Sequence, residues 1–131
     1  MDFLLDTNVF LHATISPDRL NRPALKLLAD RSNSLFLSAA SAWEVVIKHS
    51  LGRLRIPDPP ARWLRDRIRL LGLQTLDITV DHAIALSSLP PFHRDPFDRM
   101  LIAQAASEHL TLLTTDRRLR EYSVEVIPCG A

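Results

Sequence analysis

Five short apolar runs recur along this chain, and a helical pattern or turn separates each from the next. The runs cover residues 2–6, 35–37, 73–78, 110–114 and 124–127. Helical patterns fill residues 7–13, 22–31, 38–51, 62–71, 79–89 and 96–106, and a short helix or turn follows position 116. Parallel strands need long crossovers, and those crossovers lay helices over the sheet. Strand–helix alternation of this kind predicts an α/β fold with a mostly parallel sheet.

Local signals mark the boundaries. Asn21, Ser38, Thr79 and Asp95 stand where helix N-caps belong, and Pro96 occupies a first helical position. Thr7 or Asn8 is expected near the cap of the first helix. Gly52 and Gly72 fall just past helix ends, where a left-handed residue costs glycine least. Residues 15–21, with Pro17, and the proline-rich residues 53–60 read as loops, and Pro90 and Pro91 stop a helix. In the helix over 22–31, Leu25 and Leu28 are expected to face inward.

A length of 131 residues fits one domain. Apolar residues make up 47% of the chain, enough for a core without disulfide or metal staples. No apolar run approaches the roughly 20 residues a membrane span needs. The start, MDFLLDTN, lacks the basic and apolar regions of a signal peptide. Cys129 is the single cysteine, which fits a reducing cytoplasm. Net charge is +1, so charge alone does not announce nucleic-acid binding. The cations are 14 Arg and 2 Lys. Arg suits bidentate phosphate contacts, and biased genomic composition also accounts for the excess. Six of these Arg lie between positions 53 and 69, and Arg117, Arg118 and Arg120 follow Asp116.

Four acids fall where a strand hands over to a helix, or early in that helix: Asp6, Glu44, Asp98 and Asp116. Ligands of open parallel sheets bind at the carboxyl ends of the strands, so these acids can converge. Glu44 lies about 9 Å up its helix from Ser38, but helical side chains lean back toward the N-terminus. Like charges at roughly 4 Å repel by about 4 kcal/mol at an effective dielectric near 20. A hard divalent cation such as Mg²⁺ or Mn²⁺ removes that repulsion. Each acid also has a structural reading. Asp6 and Asp116 can cap helices, Asp98 can complement a helix dipole, and Glu44 can pair with Lys48 four residues on. A carboxylate cluster of this kind points to a metal-dependent nuclease.

The segments LLDTNVFL, SAASAWEVVIKHSLGRL, HRDPFDRMLIAQA and LLTTDRRLREY closely resemble the PIN-domain ribonucleases, and within them the VapC toxins of bacterial toxin–antitoxin pairs. They run from end to end of the chain. SAWEVVIK and PFDRMLIAQA are the most specific. The resemblance implies a single PIN domain over residues 1–131, built as a three-layer α/β/α sandwich. It implies RNA hydrolysis with Mg²⁺ or Mn²⁺ held by Asp6, Glu44, Asp98 and Asp116. Thr7, Asn8 and Thr114 match supporting polar positions, and Asp95 matches a further acid of one branch. Arg99 and Arg117 are candidate contacts to flanking phosphates, with solvated surface the alternative for both. His93 is left outside the catalytic set. The resemblance also implies a cognate antitoxin and a homodimer. The helix over 62–71, with Trp63 and Leu64, and residues 20–28 offer surface for the antitoxin, or else belong to the core.

Three other classes compete with this reading. Haloacid-dehalogenase-type phosphatases also open with a strand-end Asp but need a second Asp two residues later, where this chain has Asn8. An inactive PIN-like module that grips RNA or a partner has no need of all four acids. DNA- or flap-cutting relatives usually carry extra elements for which this chain is short.

Overall fold

A computed structural model describes residues 1–57, 59–92 and 94–131. The sequence reading of His93, and Asp58 within the loop over 53–60, lie outside the described residues. Strands β1 (Asp2–Leu5), β2 (Ser34–Ser38), β3 (Gln74–Leu76), β4 (Thr111–Thr114) and β5 (Val126–Pro128) form one sheet in the order β3-β2-β1-β4-β5. Every pairing is parallel. The helices are α1 (Thr7–Ile15), α2 (Arg22–Ala29), α3 (Ala39–Ser50), α4 (Pro60–Leu70), α5 (Val80–Ala85) and α6 (Pro96–Glu108).

Period-two alternation sorts the strand side chains into two cores. Phe3 and Leu5 of β1, Leu35 and Leu37 of β2 and Leu113 of β4 join Val9, Phe10, Trp63 and Leu64 on one face. Leu4 and Leu112 join Leu101, Ile102 and Ala105 of α6 on the other. The expected α/β/α sandwich is therefore present, with helices on both faces of a parallel sheet. From β1 the chain builds outward through β2 to β3. It then crosses back to lay β4 on the other side of β1. The carboxyl ends of β1 and β4 therefore flank the topological switch point, where open α/β sheets form their ligand crevice.

Most boundary signals act as expected. Asn21, Ser38, Thr79 and Asp95 accept backbone N–H groups at 2.9, 3.0, 3.1 and 2.9 Å. Gly52 and Gly72 adopt φ of 71° and 67°. At α1 the cap is Asp6, as its structural reading allows, rather than Thr7 or Asn8, and its side chain accepts from Val9 N. The helix expected over 79–89 ends at Ala85, tightens into a 3₁₀ turn over Leu86–Ser88, and becomes extended at Leu89. Pro90 excludes helical geometry from the residue before it. Strand β3 stops at Leu76 rather than 78, and the next carbonyl, of Asp77, accepts from the Gln104 amide of α6 at 3.3 Å.

The packing corrects one further expectation and decides between two alternatives for another. Ala24, Leu27 and Leu28 form the inward stripe of α2, and Leu25 lies at its edge, 37% exposed. Trp63 and Leu64 are core residues, each 7% exposed, and Trp63 meets the Phe10 ring edge-on at 6.0 Å. Leu20 and Ala24 are buried with them. Of the two readings given to these side chains, antitoxin surface or core, the core reading holds, and they fasten α2 and α4 to the sheet. Replacing fully buried Leu5 by Ala is expected to cost about 3 kcal/mol in urea denaturation, and Leu25→Ala under about 1 kcal/mol. Equal losses would contradict this assignment of the two faces.

Candidate active site

Asp6 stands at the switch point, 3% exposed, between the end of β1 and the start of α1. Its backbone N–H donates to Leu113 of β4 at 2.9 Å, which carries the sheet register into the site. Its Oδ1 accepts from Val9 N at 2.7 Å. Its Oδ2 accepts from the Thr114 hydroxyl and from Thr115 N at 3.3 Å. All three donors are neutral. An ionised carboxylate offers about four lone-pair sites, so one on Oδ1 is left for a further partner.

Burial, with Glu44's negative charge adding to it, pushes the Asp6 pKa from 3.8 up to about 6, despite those hydrogen bonds. The Cys129 thiol nearby is pushed up to about 11, chiefly by burial and then by Asp6's charge. It stays protonated at neutral pH and offers no thiolate nucleophile.

Thr7 ties Asp6's neighbour to α3. Its hydroxyl has one proton, and the 2.6 Å contact to Glu44 Oε1 takes it. Ser41 therefore donates to Thr7 across 3.0 Å. Ser41 sits one turn before Glu44 on the same helix face, fully buried; that S-x-x-E spacing was the available signal for it. Glu44 Oε2 pairs with Lys48 Nζ at 3.1 Å. The structural reading of Glu44 is thus realised alongside its place in the site.

On the other side, Thr114 Oγ1 donates to Asp6 and accepts from Asp116 N at 3.0 Å. Asp116 caps the 3₁₀ turn Arg117–Glu121. Arg118 forks onto it, Nε to Oδ1 at 3.1 Å and Nη2 to Oδ2 at 2.9 Å. These contacts hold the Arg118 pKa above its ordinary value, first through the hydrogen bond and charge of Asp116, with Asp98 and Glu121 adding. Asp98 lies half-buried on the first turn of α6, whose cap is Asp95. Asn8 is exposed on the first turn of α1. Arg99 donates to the Pro90 carbonyl at 3.0 Å, and Arg117 is exposed.

Among the described residues, no three His, Cys, Asp or Glu side chains stand close enough to enclose a metal ion. The donor chemistry nevertheless fits a hard cation. Mg²⁺ usually takes one or two carboxylates and keeps several waters. Asp6 and Glu44 supply such a pair, and their mutual repulsion and the raised Asp6 pKa call for positive charge.

Residues 3–125 match the PIN domain family. The chain belongs to the PIN-domain family. A Mycobacterium tuberculosis relative named ribonuclease VapC16 is 42% identical over 72 residues, 55% of this chain and 49% of that protein. Ribonuclease VapC22 of the same organism is 30% identical over 120 residues, 91% of this chain and 90% of that protein. The fold of this PIN domain is similar to a crystal structure of VapBC2 from Rickettsia felis bound to a promoter DNA fragment. Their TM-score is 0.75 at 19% identity, over 99% of this chain and 100% of that one. The resemblance to PIN-domain, VapC-type ribonucleases read from the sequence holds.

The buried acid makes the metal-free PIN domain pH-sensitive. Unfolded Asp6 releases its proton near pH 3.8 and folded Asp6 near 6. Stability therefore falls as pH rises between those values, and levels off about 3 kcal/mol lower. The stability of wild type relative to Asp6→Asn, from urea denaturation without divalent cations, should fall by about 2–3 kcal/mol between pH 4 and 7. A difference independent of pH would contradict a desolvated Asp6.

Proposed function

We propose that this PIN domain, spanning the chain, is an endoribonuclease that hydrolyses RNA phosphodiester bonds with Mg²⁺ or Mn²⁺. We further propose that it is the toxin of a type II toxin–antitoxin pair. The observation that carries the reading is the Asp6 carboxylate. It is buried at the switch point, coupled to Glu44, and held only by neutral donors. The names of two curated relatives support the RNA chemistry.

Asp6 and Glu44 would hold the cation from two different elements. Bound there, a divalent metal supplies Lewis acidity, easing water deprotonation and stabilising negative charge on phosphate. Thr7 orients Glu44, and Thr114 fixes the Asp6 carboxylate while accepting from the Asp116 backbone. Asp98 and Asp116 complete the acid set at its rim. Asp95 positions Asp98 by capping α6. Exposed Asn8 and Arg117, and Arg99 beside Asp98, are proposed to meet the RNA. Buried layers of aliphatic side chains on both faces of β1 and β4 keep bulk water from below the site.

A cognate antitoxin and a homodimer belong to the same proposal. Toxin–antitoxin complexes among the structural neighbours, such as VapBC2, support the antitoxin. Trp43, Val46, Val80 and Ile84 are exposed apolar side chains that partners would cover. No helix of the described residues is long and apolar enough to cross a membrane. A cytoplasmic location is proposed with the toxin reading.

Purified protein should cut RNA internally with Mg²⁺ or Mn²⁺, and EDTA should suppress the cutting. Asp6→Asn should lower the rate at least about 100-fold, the scale of losing a preorganised charge at a reacting centre, while remaining folded by circular dichroism. Cleavage that survives EDTA, or is undiminished in Asp6→Asn, would rule the reading out. Release of phosphate from small phosphoesters without RNA cutting would favour the phosphatase class instead.

A further inference from the structure

The acids of this site differ in how their charge is met. Among the described residues, Asp6 is held by neutral donors, whereas Glu44 has Lys48 and Asp116 has Arg118. Lys48 is a point charge one turn along the same helix. Arg118 presents a planar fork that engages both Asp116 oxygens, at 3.1 and 2.9 Å, and it also feels the charge of Asp98. A metal approaching Asp116 must therefore compete with that fork for the same lone pairs. The Arg118 side chain is 72% exposed, and among the described residues its side-chain hydrogen bonds go to Asp116. Exposed ion pairs are weak, and a divalent charge outcompetes a monovalent one. The same fork geometry matches two oxygens of a phosphate. Arg117 and Arg120, both exposed, flank it.

We propose that Arg118 is a built-in counter-ion, which occupies Asp116 and neighbours Asp98 until a divalent cation displaces it and its guanidinium turns to an RNA phosphate. This role rests on the metal-dependent ribonuclease reading. Arg118 is a positioning residue in the first state and an RNA contact in the second. The backbone cap is independent of the side chain, because Asp116 Oδ1 also accepts from Arg118 N at 3.0 Å. Arg118→Ala should therefore keep the turn and the fold.

The test is calorimetric titration of Mn²⁺ into the metal-free full chain, as wild type, Arg118→Ala and Asp6→Asn, together with KM for RNA. Arg118→Ala is expected to bind Mn²⁺ about two- to fivefold more tightly, the worth of one exposed ion pair. Its KM for RNA is expected to rise roughly three- to tenfold through the lost phosphate contact. A merely structural residue would weaken both or neither. Mn²⁺ affinity that is unchanged or lower in Arg118→Ala would overturn the counter-ion role. Absence of Mn²⁺ binding by wild type, or equal binding by Asp6→Asn, would instead overturn the metal reading, and this inference with it.

Discussion

The site depends on one desolvated carboxylate. Asp6 is placed by the sheet rather than by a loop: its own N–H is a rung to β4, and its side chain caps α1. Leu4 and Leu5 before it, and Leu112 and Leu113 beside it, are fully buried. Turning the Asp6 carboxylate to water would break the hydrogen bonds from Val9 N, the Thr114 hydroxyl and Thr115 N. Its three donors hold the geometry but carry no formal charge, so burial outweighs them and the pKa rises. Glu44 and Asp116 beside it are more exposed and have cations of their own chain, Lys48 and Arg118. Charge in the site is thus balanced at its rim and unbalanced at its centre, the arrangement a cation-binding site needs before its ion arrives.

Sequence alone made the fold frame legible because strand and helix periods alternate cleanly, and because Ser38, Asp95 with Pro96, and Gly72 carry specific backbone preferences. It also brought out the acids, since each sits beside a boundary those signals fix. The cap of α1 stayed open because Asp6, Thr7 and Asn8 are all competent N-caps; the register of β1 against β4 decides among them. Trp63 was open between core and surface and Leu25 was misplaced, since an apolar residue at the edge of a helical stripe turns on which neighbouring helix covers it. Ser41 and Arg118 were hidden for opposite reasons. A serine in SAASAWE is one of two, and an arginine in RRLR is one of three. Only the fold brings Ser41 to Thr7 and turns Arg118 back onto Asp116.

Local rules and site chemistry conflict at one position. A neutral acceptor that kept the α1 cap would escape the desolvation cost at the place of Asp6, whereas its acid raises the energy of the metal-free state as pH rises from 3.8 to about 6. Departures of this kind concentrate at functional sites. The rest of the chain supports it with two apolar layers, side-chain N-caps on α1, α2, α3, α5 and α6, and parallel strand pairing. Thr7 and Thr114 serve both ends, since each is buried and each links an acid to a different element.

The most direct measurement is the titration of the Asp6 side-chain carboxyl carbon by NMR, in metal-free protein and with saturating Mg²⁺. The account predicts a midpoint near 6 without metal, and a fall below the ordinary value of about 3.9 with it. A midpoint near 4 without metal, or one that Mg²⁺ leaves unmoved, would contradict the claim that burial leaves this carboxylate in need of a cation.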